Sequence, residues 1–135
     1  MKTNTKIKIN GLVRIYSNDE LILEKKNAVQ PGSMDIIRRG LAGFAGSVIR
    51  NIEAYNDATL LATNATDTPP ELPVSGSNNL VKFSTTFSKE SFTGVFNKLQ
   101  LRSGLGVFSI LTGFSNEKTE FHTLKIEWLL EIVII

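Results

Sequence analysis

Hydrophobic and polar residues alternate along much of this chain. From Ile7, the apolar positions Ile9, Val13 and Ile15 are separated by polar or small residues, and the pattern resumes at Leu21 and Leu23 after Ser17-Asn18-Asp19-Glu20. A period of two is that of a strand with one buried face. Ser, Asn and Asp favour turns because their side chains bond neighbouring backbone. KIKINGLVRIYSNDELILEKK therefore predicts a long β-hairpin, with Gly11 marking a bulge or a close backbone approach. The pattern then changes. In NAVQPGSMDIIRRGLAGFAG, Pro31-Gly32 stops the strand, Ser33 is placed to cap a helix and Asp35 falls in its first turn. Met34, Ile37 and Leu41 follow helical spacing, so a short helix is expected to pack that face on a sheet and to end at Gly40 and Gly43.

Alternation returns weakly in SVIRNIEAY and then stops. Residues 56–79 are rich in Asn, Thr, Pro, Ser and Gly, with Pro69-Pro70 and Pro73 stiffening part of the path. Connections longer than about 12–15 residues are uncommon in compact domains, so this segment is expected to be a long polar loop, either an arm reaching a neighbour or a surface loop. Beyond it, LVKFSTTF places Val81, Phe83, Thr85 and Phe87 on one face. FTGVFNKLQLRS puts Val95, Leu99 and Leu101 on one parity and Phe92 and Phe96 on the other. GVFSILTGF suits a strand covered on both faces, and SNEKTEF reads as a turn into the last strand.

That strand is HTLKIEWLLEIVII. Its even positions from Leu124 to Ile134 form an apolar stripe, about 33 Å long at the rise of a strand. As a free edge it would template aggregation, having high β propensity, no proline and little charge. It is therefore expected to lie inside its own sheet or to have its tip covered by another subunit. Trp128 shares the stripe and reads as core or interface. Together these elements predict a mainly β chain, an antiparallel β-sandwich or jelly-roll-like barrel, with one short helix after the N-terminal hairpin. Residues 1–135 are expected to form a single domain.

Composition narrows the chemistry. Fifteen Lys+Arg against thirteen Asp+Glu leave a net charge of +2. Lys25-Lys26 and Arg38-Arg39 are the basic doublets, too dispersed for the clustered face that nucleic acid requires. There is no cysteine, hence no disulfide and no thiolate nucleophile. His122, the one histidine, has no metal-ligand spacing around it and is expected to be a solvated strand residue. Asp19, Asp57 and Asp67 are too scattered for a calcium loop, and SGLGV at 103–107 lacks the lysine of a phosphate loop and reads as a tight turn. No catalytic residue, metal or cofactor is expected. MKTNTKIKING has no apolar stretch behind its basic residues, and no run reaches the length of a membrane helix, so synthesis in the cytoplasm and no membrane association are expected.

The order of a leading strand pair, the link EKKNAVQPGS into MDIIRRGLAG, a variable loop, NLVKFSTTFSKESFTG and the closing KTEFHTLKIEWLLEI resembles small virion structural proteins of tailed bacteriophages, the head-decoration, neck and tail-fibre-associated subunits. The resemblance implies a β-rich, non-enzymatic subunit that binds other virion proteins through β-edges and loops, works as a homo-oligomer or on a symmetric lattice, and is made in the host cytoplasm for the virion. Candidate interface residues are Leu60, Leu61, Pro69, Pro70, Leu72 and Val74 in the long loop, and Trp128, Ile132, Ile134 and Ile135 on the last strand. The alternative is a carbohydrate-binding β-sandwich, with Tyr16, Tyr55 and Phe114 as the stacking candidates.

Overall fold

The computed structural model describes residues 7–30, 32–73 and 79–134, with the side chains of all but residues 7, 28 and 134. The candidates Val74 and Ile135 therefore lie outside the described residues, and so does the side chain of Ile134.

The first hairpin forms as its alternation requires. Strand β1 (Ile7–Ser17) pairs antiparallel with β2 (Glu20–Val29). Asn18 and Asp19 both take positive φ, 46° and 68°, as a two-residue hairpin turn with the strand twist demands. Gly11 is a close approach. A Cβ there would lie 2.0 Å from Asn27 Oδ1, and the Asn27 side chain crosses Gly11 to bond Ser109 Oγ. Helix α1 (Ser33–Leu41) follows. Then come β3 (Ile49–Asn56), β4 (Thr59–Ala65), β5 (Leu80–Phe87), β6 (Gly94–Phe96), β7 (Lys98–Ser103), β8 (Gly106–Leu111), β9 (Asn116–Lys118) and β10 (Leu124–Ile134).

Eight strands join in the order β4-β3-β7-β8-β2-β1-β10-β5, and β6 pairs with β9. Every pairing is antiparallel. The sheet folds over at β2, which pairs with β1 along most of its length and with β8 through Ala28 and Val29. The result is a sandwich of two layers, β5-β10-β1-β2 and β8-β7-β3-β4. The end strands then meet along a seam. Asp67 N–H donates to Ser84 O at 2.7 Å, Glu71 and Lys82 exchange backbone bonds, and Asn64 Nδ2 donates to Thr86 O at 2.7 Å. The core between the layers holds Val13, Ile15, Ile52, Phe87, Leu99, Leu101, Ile126 and Trp128, each fully buried.

β10 is interior, paired with β1 over its whole length and with β5 from Leu124 to Glu131. This answers the aggregation hazard of its apolar stripe, because both ladders are occupied. Four expectations are corrected. Residues 56–79 are not one loop: Thr59–Ala65 is a strand paired with β3, and residues 64–71 run along β5 as the strap that closes the seam. FTGVFNKLQLRS is not one strand, because the chain breaks at Asn97 and so brings Phe92 and Phe96 into the same core as Leu99 and Leu101, while Val95 is exposed. SNEKTEF contains β9. His122 lies in the turn before β10 rather than on a strand, half-buried, with Nδ1 hydrogen-bonded to Thr119 Oγ1.

Candidate functional site

One end of the sandwich is covered by α1. The helix buries Ser33 and Ile36 and half-buries Ile37, a face set by residues one turn apart. Met34 and Leu41, expected on the packing face, are 51% and 87% exposed. The reason is size: Ser33 and Gly40 are small enough to sit close, and a Cβ on Gly40 would already stand 3.0 Å from Ser47 Oγ. Ser33 is not the cap. Gly32 precedes the helix without a side-chain cap bond, and Ser33 N–H donates to Gln30 O at 2.9 Å. Asp35 accepts bonds from Arg38 and Arg39. Those bonds hold its carboxyl below the usual carboxylate range, the Arg38 bond contributing most.

After the helix, a 3-10 turn at Ala45–Ser47 returns the chain to β3. Phe44 enters that turn 55% exposed, with the Arg39 guanidinium 5.9 Å from its ring centre, and Val48 leaves it 57% exposed. The β7–β8 turn packs beneath it. A Cβ on Gly104 would lie 2.9 Å from Gly46 O, so glycine is required there. Between α1 and the sandwich is a half-open cavity of about 210 Å³, lined by Ile9, Ile36, Ile37, Ile49, Val81, Phe83, Phe108, Leu130 and Ile132 together with Gly40 and Ser47. Ile132 and Gly40 are themselves exposed, which places the opening between the end of β10 and the last turn of α1.

The opposite end is packed with aromatic rings beneath an open surface depression lined by Lys89, Glu90, Phe92, Thr93, Glu120 and Phe121. Phe87, Phe92, Phe96 and Phe114 form a chain of edge-to-face pairs with ring centres 5.5–5.8 Å apart. Over them lies Lys118, 1% exposed, whose Nζ donates to Lys89 O and Phe92 O, both at 3.0 Å, and to Thr119 O at 3.4 Å. Burial lowers its pKa, against the opposing charge of Glu90. The three carbonyls match the three N–H bonds of an ammonium, so the lysine pins the 89–92 and 118–119 segments together.

The outer face of the first layer carries a second polar group. Glu127, 7% exposed, accepts from Lys82 Nζ at 3.1 Å, and Lys82 also meets Glu71 at 3.0 Å. Desolvation raises the Glu127 pKa, but hydrogen bonds from Lys82 and Tyr16 and the charges of Lys82 and Lys125 outweigh it, and the net shift is downward. This network ties the strap to β5 and β10.

Of the sequence-predicted interface residues, Leu60 and Leu61 lie on β4, Leu60 48% exposed and Leu61 half-buried. Pro69, Pro70 and Leu72 lie exposed along the strap, with Pro69 after a cis peptide bond. Trp128 is core, fully buried, with no acceptor for Nε1 among the described residues. Among the described candidates, Ile132 alone lines the cavity beneath the helix. The stacking candidates are not a shared platform: Tyr16 is on β1, Tyr55 on β3 donates to Glu53 at 2.9 Å beneath Lys98, and Phe114 packs on Phe96. Met34, Leu41, Phe44 and Val48 were not anticipated as surface residues. The legible signal was the competing helical spacing 33-36-37-40, hidden because two of its members are Ser and Gly.

Among the described residues, no three His, Asp or Glu side chains are grouped to hold a metal ion, and no helix is long and apolar enough to cross a membrane. Comparison with protein-family models, with curated proteins and with solved structures found no match to this chain.

Proposed function

We propose that the chain is a non-catalytic structural subunit of a tailed-bacteriophage virion that binds other virion proteins through the end covered by α1. The observation that carries this reading is the run of large apolar side chains left in solvent over one short stretch: Met34, Leu41, Phe44 and Val48, all at least half exposed. Single exposed apolar residues are ordinary, whereas a group of them around one helix is the composition of a protein contact. Phe, Met and Arg are the residue types enriched at such contacts, and Arg39 already holds the Phe44 ring by a cation–π contact. The sheet edges carry less of the function than the resemblance implies, because β4 and β5 are turned toward each other at the seam. Binding would bury the helix crest against a partner subunit, with Arg38 and Asp35 at the polar rim.

The test is twofold. Light scattering should give the purified chain a mass above 14.9 kDa as concentration rises, or it should co-sediment with particles assembled without it. The double variant Leu41→Glu, Phe44→Glu should lose both behaviours at an unchanged melting temperature. A wild-type chain that stays monomeric and remains in the supernatant when the particles pellet defeats the reading.

A further inference from the structure

The cavity under α1 goes beyond the surface contact just proposed. Its walls come from β1, β3, β5, β8, β10 and the helix, and apart from Ser47 every lining side chain is hydrocarbon or absent. Ser47 is engaged already, its hydroxyl donating to Phe44 O at 2.7 Å. A docking peptide must find partners for its own N–H and C=O groups, which is how extended and helical peptides are held. These side chains offer none. Enclosed engineered apolar cavities of about 150 Å³ take up benzene, and the half-open space here, about 210 Å³, is large enough for a ligand of that size.

We propose that this cavity is a binding site for a compact, uncharged apolar ligand: a monocyclic aromatic or a branched hydrocarbon of about six to ten non-hydrogen atoms. The ligand enters between the end of β10 and the last turn of α1, where Gly40 leaves the opening clear. Recognition is by shape and by apolar burial, because the walls carry no group to orient a polar substituent. Specificity is therefore for size: charged or strongly hydrogen-bonding analogues of the same volume are rejected by the desolvation they would suffer.

Toluene is the probe. Titrated into the full chain labelled at Ile, Leu and Val methyls, it should shift Ile36, Ile37, Ile49, Val81 and Leu130 along one saturable curve, and raise the melting temperature by about 2–4 °C near saturation. Val81→Phe, which fills the space, should abolish the shifts; Ile37→Phe serves if that variant does not fold. Benzoate should leave the methyls where they are. The proposal is overturned if toluene moves no cavity methyl up to its solubility limit. It is equally overturned if the shifts persist in the filled variant and centre on exposed Leu41. Cavity shifts that follow protein concentration rather than toluene assign the space to a second copy and also overturn it.

Discussion

The two ends of the sandwich are both built from apolar side chains and are finished differently. At the end holding the β1–β2 turn, four phenylalanines interlock edge to face and Lys118 closes the loops above them with three carbonyl bonds. At the other, α1 is laid across the opening on Ile36 and Ile37 and leaves an apolar space beneath. The contrast teaches that rigidity and vacancy were not distributed by hydrophobicity. They follow from how the side chains meet: Phe87, Phe92, Phe96 and Phe114 pair edge to face, whereas Phe83, Phe108 and the branched side chains under the short helix leave a space between them. The aromatic end is expected to contribute more to stability, and the helix-covered end carries the contact and the cavity proposed above.

The comparison can be broken by truncating each end in turn. Phe96→Ala removes the centre of the aromatic chain and should cost about 3–5 kcal/mol in urea denaturation. Ile36→Ala, beside a space already open, should cost about 2 kcal/mol, the low end for such a truncation. Equal losses would mean that the ends do not differ. Lys118→Met keeps the stem and removes the donors. Leaving buried carbonyls without partners should cost about 2–4 kcal/mol, with Lys89–Phe92 amides exchanging faster while α1 amides are unchanged. A uniform loss of protection would show that the lysine does not act on its own end.

A smaller effect separates either end from the seam. The Glu127 pKa is lowered in the folded state, so its contribution is present above the ordinary 4.5 and disappears as pH falls through the depressed value. Glu127→Gln should cost about 1 kcal/mol at neutral pH and nothing at low pH, where wild type has also lost the charge. A pH-independent difference between the two proteins would remove the ion pair from the account.

The strands with one buried face were legible because alternation and burial coincide: Val13 and Ile15 on β1, Phe83, Thr85 and Phe87 on β5, and Leu124, Ile126 and Trp128 on β10 are all inside. β4 was not. Its residues are exposed or half-buried in turn without a clean period, and Thr59, Thr63 and Asn64 make it look like loop. The parity switch at Asn97 was hidden as well, since a break of one residue exchanges faces without altering composition. The helix was placed correctly, but the inward face was assigned by hydrophobicity where size decides. The candidate site suffered most, because it lies where Met34 and Leu41 were expected to be core.

The seam between β4 and β5 has a kinetic meaning. A continuous ladder opens cooperatively, but here the closing strap is held by separate backbone bonds, such as Asp67 N–H to Ser84 O and the exchange between Glu71 and Lys82, together with side-chain bonds and the Lys82 ion pairs. Thermal opening is therefore expected to begin at this line, with the chain behaving as a curled sheet fastened along one edge. Amides of the strap then exchange by local release, on a timescale separate from that of the β1–β10 ladder, which opens only when the whole molecule unfolds. Changes in the length of the chain between strap and β5 alter how often the fastening slips, while the order of the eight strands stays as it is.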